Sequence, residues 1–144
     1  MKKGGVILNI TAHLHYNGTA LQSHAGTAKA GVDALTRHLA VELGPRGIRV
    51  VGICPGAIEG TEGYDKLTPK DMEGQKSGLG SIVPLQRGGQ KVDIANSCLF
   101  AASPAASYIT GTILIVDGGI VLTAPNFTFL SPDFVKGYPT FGKL

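Results

Sequence analysis

The sequence predicts an α/β fold built on a parallel sheet. Three observations carry this. Three short apolar runs, 6–10, 48–54 and 112–116, are rich in β-branched residues and bounded by glycine or proline, as strands buried on both faces are. Two segments with helical spacing, 26–43 and 92–102, lie between them. The order is therefore strand, helix, strand, long connection, helix, strand, which requires crossover connections and parallel pairing.

The elements follow in order. Val6-Ile7-Leu8-Asn9-Ile10 emerges from two glycines as a first strand. Residues 11–23 read as a polar loop holding His13, His15, Tyr16 and Gly18, and loop histidines are usually solvated. In 26–43, Ala28, Val32, Leu35, Leu39 and Leu43 recur at three- and four-residue steps and form one apolar stripe. Asp33, Arg37 and Glu42 lie off it, and Gly44-Pro45 supplies the stop. The second strand, 48–54, is ended sharply by Pro55-Gly56. Residues 59–85 are polar and glycine-rich, with Lys66, Lys70 and Lys76. So long a connection is usually functional and has room for short helices. The helix at 92–102 places Val92, Ala95, Leu99 and Ala102 on one stripe, and the third strand is closed by Asp117-Gly118-Gly119. Helical periodicity is lost after Val121, so 122–144 is expected to be a surface tail.

Composition narrows the class. With 144 residues, 43% hydrophobic and 16% charged, the chain suits one globular domain with a real core. The net charge of +3 is interspersed, with no basic block and no interleaved aromatics, so nucleic acid is not an expected partner. Cys54 and Cys98 lie among apolar neighbours without ligand spacing around them. They read as reduced, buried thiols of an intracellular protein rather than a disulfide or metal site. No apolar run approaches the roughly 18 residues of a membrane span. The short run after Met1-Lys2-Lys3 is interrupted by Asn9, so it is not a secretory signal.

Three strands are only half of the roughly six in an open doubly wound sheet. The expectation is thus the C-terminal part of a Rossmann-type doubly wound parallel sheet, with the N-terminal nucleotide-binding half missing and residues 1–144 forming part of a single domain.

Seven motifs then point to a family. They are Gly5-Val6-Ile7-Leu8-Asn9-Ile10, Ala28-Lys29-Ala30, Gly47-Ile48-Arg49-Val50 with Cys54-Pro55-Gly56, Pro84-Leu85-Gln86-Arg87, Asp93-Ile94-Ala95, Tyr108-Ile109-Thr110-Gly111 and Val116-Asp117-Gly118-Gly119. In this order they resemble the second half of the short-chain dehydrogenase/reductases. His24-Ala25-Gly26-Thr27-Ala28-Lys29, Arg37-His38-Leu39-Ala40-Val41-Glu42, Gly60-Thr61-Glu62-Gly63 and the terminal Gly142-Lys143-Leu144 resemble the peroxisomal 2,4-dienoyl-CoA reductases within that superfamily.

The resemblance implies an NADPH-dependent reduction of 2,4-dienoyl-CoA to enoyl-CoA in peroxisomal fatty acid β-oxidation. It makes Lys29, near the start of its helix, the residue that orients the nicotinamide ribose. Pro55, Gly56, Ala57, Ile58, Glu59, Gly60 and Thr61 become the cofactor loop. Lys66 stands where the family carries an arginine against the acyl-CoA, keeping the charge and losing the bidentate fork. Most of the superfamily has a tyrosine four residues before the lysine, on the same helical face. Here that place is Ala25, which has no proton to give. Mitochondrial relatives use a tyrosine at the place of Leu14, and the peroxisomal type an upstream aspartate with a water. Val51 replaces a usual asparagine. The resemblance also implies a homo-oligomer, an acyl-CoA substrate, and a peroxisomal import receptor reading Gly142-Lys143-Leu144, a relative of Ser-Lys-Leu. Rival expectations are a truncated, non-catalytic assembly partner or another short-chain enoyl or carbonyl reductase.

Overall fold

A computed structural model describes residues 4–19, 22–67 and 82–123. Three parallel strands, β1 (Gly5–Ile10), β2 (Ile48–Pro55) and β3 (Ile113–Val116), form one sheet in the order β1-β2-β3. Gly5 pairs with Ile48 through to Ile10 with Ile53, and Gly52 with Ile113 through to Pro55 with Val116. The strands lie within two residues of the apolar runs that predict them.

Successive side chains of a strand face opposite ways, and β2 uses this to serve two helices. Val51 and Ile53 pack with Ala101, Ile94 and Cys98 of α4 (Lys91–Ala102), and with Leu8 and Leu114 from the neighbouring strands. Asn9 lies on the opposite face, where its Nδ2 donates to Thr36 Oγ1 of α2 (Ser23–Leu43) at 2.9 Å. The layers are thus α2, sheet, α4. A 3₁₀ turn, Gly44–Arg46, ends α2, and Gly47 at φ 73° turns the chain into β2. Arg49 of β2 ties down the far end of α4, its guanidinium donating to the carbonyls of Ala101 (2.7 Å), Ser103 (3.2 Å) and Ile109 (3.3 Å). The start of α4 carries a capping box between Gln90 and Asp93. The Arg87 guanidinium grips that aspartate and, with the Gln90 backbone N–H, holds its carboxyl down at about 2.

Several expectations need correction. The polar loop after β1 contains a short helix, α1 (Leu14–Asn17). The long connection does contain a short helix, α3 (Glu62–Leu67), as expected, whereas the helix α5 (Ile120–Thr123) after β3 was not expected. The faces of both long helices differ from the predicted stripes. In α2 the buried residues are Gly26, Asp33, Thr36 and Ala40, whereas Leu35 is 49% exposed. In α4 the inward residues are Ile94, Cys98 and Ala101, whereas Val92 and Leu99 are 53% and 70% exposed. Small residues let each helix approach the sheet closely, and buried hydrogen bonds replace bulk on the α2 side. β1 and β3 are only partly buried, as the two edge strands of the described sheet. Cys54 is buried and Cys98 half-buried, both as free thiols. The tail beyond Thr123, with Gly142-Lys143-Leu144, lies outside the described residues.

Candidate functional site at the carboxyl ends of the strands

In open α/β sheets, ligands bind outside the carboxyl ends of the strands. Ile10, Pro55 and Val116 end β1, β2 and β3 there. The predicted site residues divide between two neighbouring places on this edge.

Lys29 is at the first. Because α2 begins at Ser23, the lysine is in its second turn rather than its first. The side chain reaches back to the end of β1, where Nζ donates to the Ile10 carbonyl at 2.9 Å. An ammonium has three N–H donors, so two remain for a ligand. Ala25 lies one turn earlier on α2 and Leu14 on α1, and neither side chain carries a proton donor.

The run from Pro55 to Thr61 is at the second. The Gly56 N–H donates to the Val116 carbonyl at 3.0 Å, so the chains leaving β2 and β3 run together. Gly56 faces Asp117 closely: a Cβ built there would lie 2.7 Å from the Asp117 Cα. Beyond it, Ile58 bridges Gly89, with Glu59 N–H donating to the Gly89 carbonyl and Gly89 N–H to the Ala57 carbonyl, each at 2.9 Å. Of the run, Gly56, Ala57 and Ile58 line a cleft of about 560 Å³ shared with Gly89, Arg87, Asp117, Gly118 and Gly119; Pro55, Glu59, Gly60 and Thr61 do not line it. Lys29 does not line it. The Thr61 hydroxyl is engaged locally: it donates to the Ile58 carbonyl at 2.7 Å and accepts from the Tyr64 N–H at 3.3 Å, capping α3. Lys66 lies in α3, and its side chain is outside what the structure describes.

Beside Lys29 lies a polar cluster that the sequence did not reveal. Asp33, one turn beyond Lys29, is 1% exposed. Its carboxylate accepts from Thr11 Oγ1 at 2.6 Å, Tyr16 Oη at 2.9 Å and His15 Nε2 at 3.0 Å. The expectation that the loop histidines are solvated is therefore wrong for His15, whose side chain is 19% exposed, whereas Tyr16 stays 38% exposed while its hydroxyl turns to Asp33. α1 folds them down onto α2, and a buried carboxylate requires such donors. Burial, then the hydrogen bond to Asp33, pushes the Tyr16 phenol up to about 12, so it donates throughout the neutral range. Burial also lowers His13, against the opposing pull of Asp117. The Cys54 thiol is driven up to about 12 by burial and then by Asp33 and Asp117, with Lys29 opposing. It is no nucleophile near neutral pH. Asp117 caps the turn into α5, accepting from Gly119 N–H at 2.7 Å and Val121 N–H at 2.8 Å. Among the described residues no group of three or more metal-ligating side chains occurs.

One signal could have exposed the cluster. Gly26, Lys29, Asp33, Thr36 and Ala40 recur at three- and four-residue steps, a second stripe made of small and polar residues.

This arrangement, a parallel sheet between helices with a lysine held at the end of one strand and a glycine turn at the end of the next, is that of the short-chain dehydrogenase/reductases, and the chain belongs to that superfamily. Residues 1–121 match the family described as enoyl-(acyl carrier protein) reductase. A peroxisomal 2,4-dienoyl-CoA reductase of Pongo abelii is 56% identical over 136 residues, 92% of this chain and 45% of that protein. Among solved structures, a 7α-hydroxysteroid dehydrogenase complexed with NADH and 7-oxo glycochenodeoxycholic acid superposes with a TM-score of 0.70 at 39% identity, covering 81% of this chain and 44% of that one. A short-chain glucose/ribitol dehydrogenase from Brucella melitensis gives 0.73 at 34% identity, covering 83% and 46%. The chain thus spans less than half the length of these relatives.

Proposed function

We propose that the protein carrying this chain reduces 2,4-dienoyl-CoA to enoyl-CoA with NADPH, in peroxisomal β-oxidation. The observation that carries the reading is the Lys29 ammonium, fastened through one donor to the Ile10 carbonyl with two donors left. The 56% identity to a protein named for this reaction supports the substrate class. The NADH-bound relative supports a nicotinamide cofactor.

The residues present fit such a cofactor. Gly56 lines the cleft, and a Cβ there would collide with Asp117, so the glycine lets the exits of β2 and β3 close up and form that side of the cleft. NADPH, when bound, supplies the hydride that goes to the far end of the diene. Lys29 donates its two remaining N–H groups to the ribose hydroxyls. Of the run Pro55, Gly56, Ala57, Ile58, Glu59, Gly60 and Thr61, the three that line the cleft, Gly56, Ala57 and Ile58, would stand beside the carboxamide while the others shape the turn, and Lys66 would offer its charge to the CoA phosphates. With alanine at position 25, the proton for the α-carbon comes from a residue outside this chain, held with water. The exposed Leu35, Val41 and Leu99 support burial against the rest of the protein and against further copies of it, and a strictly monomeric sedimentation profile would count against the oligomer.

The test is NADPH oxidation by the purified whole protein. Absorbance at the nicotinamide band should fall on addition of 2,4-decadienoyl-CoA and stay constant with the saturated acyl-CoA. No oxidation above the enzyme-free blank would remove the reading. Separately, a fluorescent reporter ending in the last twelve residues should collect in peroxisomes through Gly142-Lys143-Leu144. A diffuse signal would remove the targeting role.

A further inference from the structure

We propose that Asp33 is a positioning residue of this reductase site: it clamps the exit of β1 and the whole of α1 onto the helix that carries Lys29, and so fixes the lysine. The proposal rests on the reductase reading for its kinetic arm only.

The contacts form a chain. Asp33 Oδ1 accepts from the Thr11 hydroxyl at 2.6 Å, and the same hydroxyl lies 3.3 Å from the Lys29 carbonyl. The Thr11 N–H in turn donates to the Ile53 carbonyl at 2.8 Å, prolonging the pairing of β1 with β2. Thr11 is thus held from two sides. The carbonyl immediately before it, that of Ile10, receives the Lys29 ammonium at 2.9 Å. Moving Asp33 frees Thr11, and moving Thr11 displaces the lysine's anchor.

Asp33 Oδ2 holds the other half. It accepts from Tyr16 at 2.9 Å and His15 at 3.0 Å, and the two rings pack edge to face with centroids 4.3 Å apart. With the Nε2–H donated to the carboxylate, an imidazole in that tautomer has a bare acceptor at Nδ1. That nitrogen is buried and finds no partner among the described residues. A cluster serving packing alone would be better made of apolar side chains, because a buried carboxylate and an unsatisfied ring nitrogen both oppose folding. Their presence one turn from Lys29 fits a role in the geometry of the site.

Asp33→Asn tests this in the whole protein. An amide keeps the size but turns one acceptor into a donor, so three incoming donors can no longer all be met. Turnover of dienoyl-CoA per folded molecule should fall about tenfold to a hundredfold, the usual cost of a misplaced site group. Long-range proton–nitrogen correlation should show His15 as a single tautomer, protonated on Nε2, in the parent and as a mixture in the variant. Its Lys29 ammonium signal should shift. Tyr16→Phe and Thr11→Val should reduce turnover in the same direction, and they decide the matter if Asp33→Asn does not fold. Turnover within twofold of the parent in folded Asp33→Asn would overturn the proposal if Lys29→Ala is inactive. If the parent itself reduces no dienoyl-CoA, the functional reading falls instead. An unchanged tautomer and an unchanged Lys29 signal would then overturn the role of Asp33.

Discussion

Replacing Lys29 by alanine should lower kcat/KM for dienoyl-CoA reduction by about 10²- to 10⁴-fold in the whole protein. The magnitude follows from counting donors. Of three N–H groups, one is committed to the Ile10 carbonyl, and two are left for the ribose hydroxyls. Hydrogen bonds from a charged donor contribute about 1.5–3 kcal/mol each, so losing two costs about 3–6 kcal/mol, and each factor of ten is about 1.4 kcal/mol. Both the affinity for NADPH and the rate should suffer, because the ribose sets where the transferable hydrogen sits. Lys29→Met keeps the aliphatic stem and should behave similarly, separating lost donors from lost packing. The thermal midpoint should move little, since only the Ile10 carbonyl loses a partner and water can replace it. Steady-state kinetics with NADPH and 2,4-decadienoyl-CoA, beside a melting curve, make the measurement. Turnover within threefold of the parent would remove Lys29 from the site.

The sheet was legible in the sequence because its strands are punctuated. Pro55-Gly56 and Asp117-Gly118 end two of them, and Gly4-Gly5 and Gly47 precede two. Lys29 and the turn after β2 were singled out through the motifs Ala28-Lys29-Ala30 and Cys54-Pro55-Gly56 that carry the family resemblance. The helix faces were not legible. Apolar periodicity assumes that the largest side chains face the sheet. In α2 they do not: Gly26 and Ala40 allow close approach, Thr36 accepts from Asn9 and donates to the Val32 carbonyl, and Asp33 is covered by Thr11, His15 and Tyr16. The donors that make Asp33 a buried residue, Thr11, His15 and Tyr16, stand 17 to 22 positions earlier in the chain. Nothing local on the helix distinguishes such an aspartate from a solvated one. In α4 the same error has a simpler origin: Leu99 and Val92 are larger than Cys98 and Ala101, yet Ala101 is completely buried against Val51 and Ile53.

Gly56→Ala should destabilise the protein by about 1–3 kcal/mol, the usual penalty for inserting a methyl into a filled space, and weaken NADPH binding with it. The added carbon would lie 2.7 Å from both Cα and Cβ of Asp117 and 3.1 Å from its carbonyl oxygen. Two of those three atoms are backbone, so a change of rotamer cannot relieve the overlap. The exits of β2 and β3 must separate, at the expense of the 3.0 Å hydrogen bond from Gly56 N–H to the Val116 carbonyl. Asp117 cannot retreat freely either. Its carboxylate is occupied by the N–H groups of Gly119 and Val121, and Asn17 of α1 donates to the Val121 carbonyl at 3.0 Å. The strain therefore passes from the turn after β2 into α5 and α1. Stability and binding should fall together, unlike in Lys29→Ala, where binding and turnover fall while stability is kept. Chemical denaturation with and without NADPH distinguishes the two patterns. An alanine variant with parental stability and parental affinity would mean that the turn after β2 is neither tightly packed nor part of the cofactor's wall.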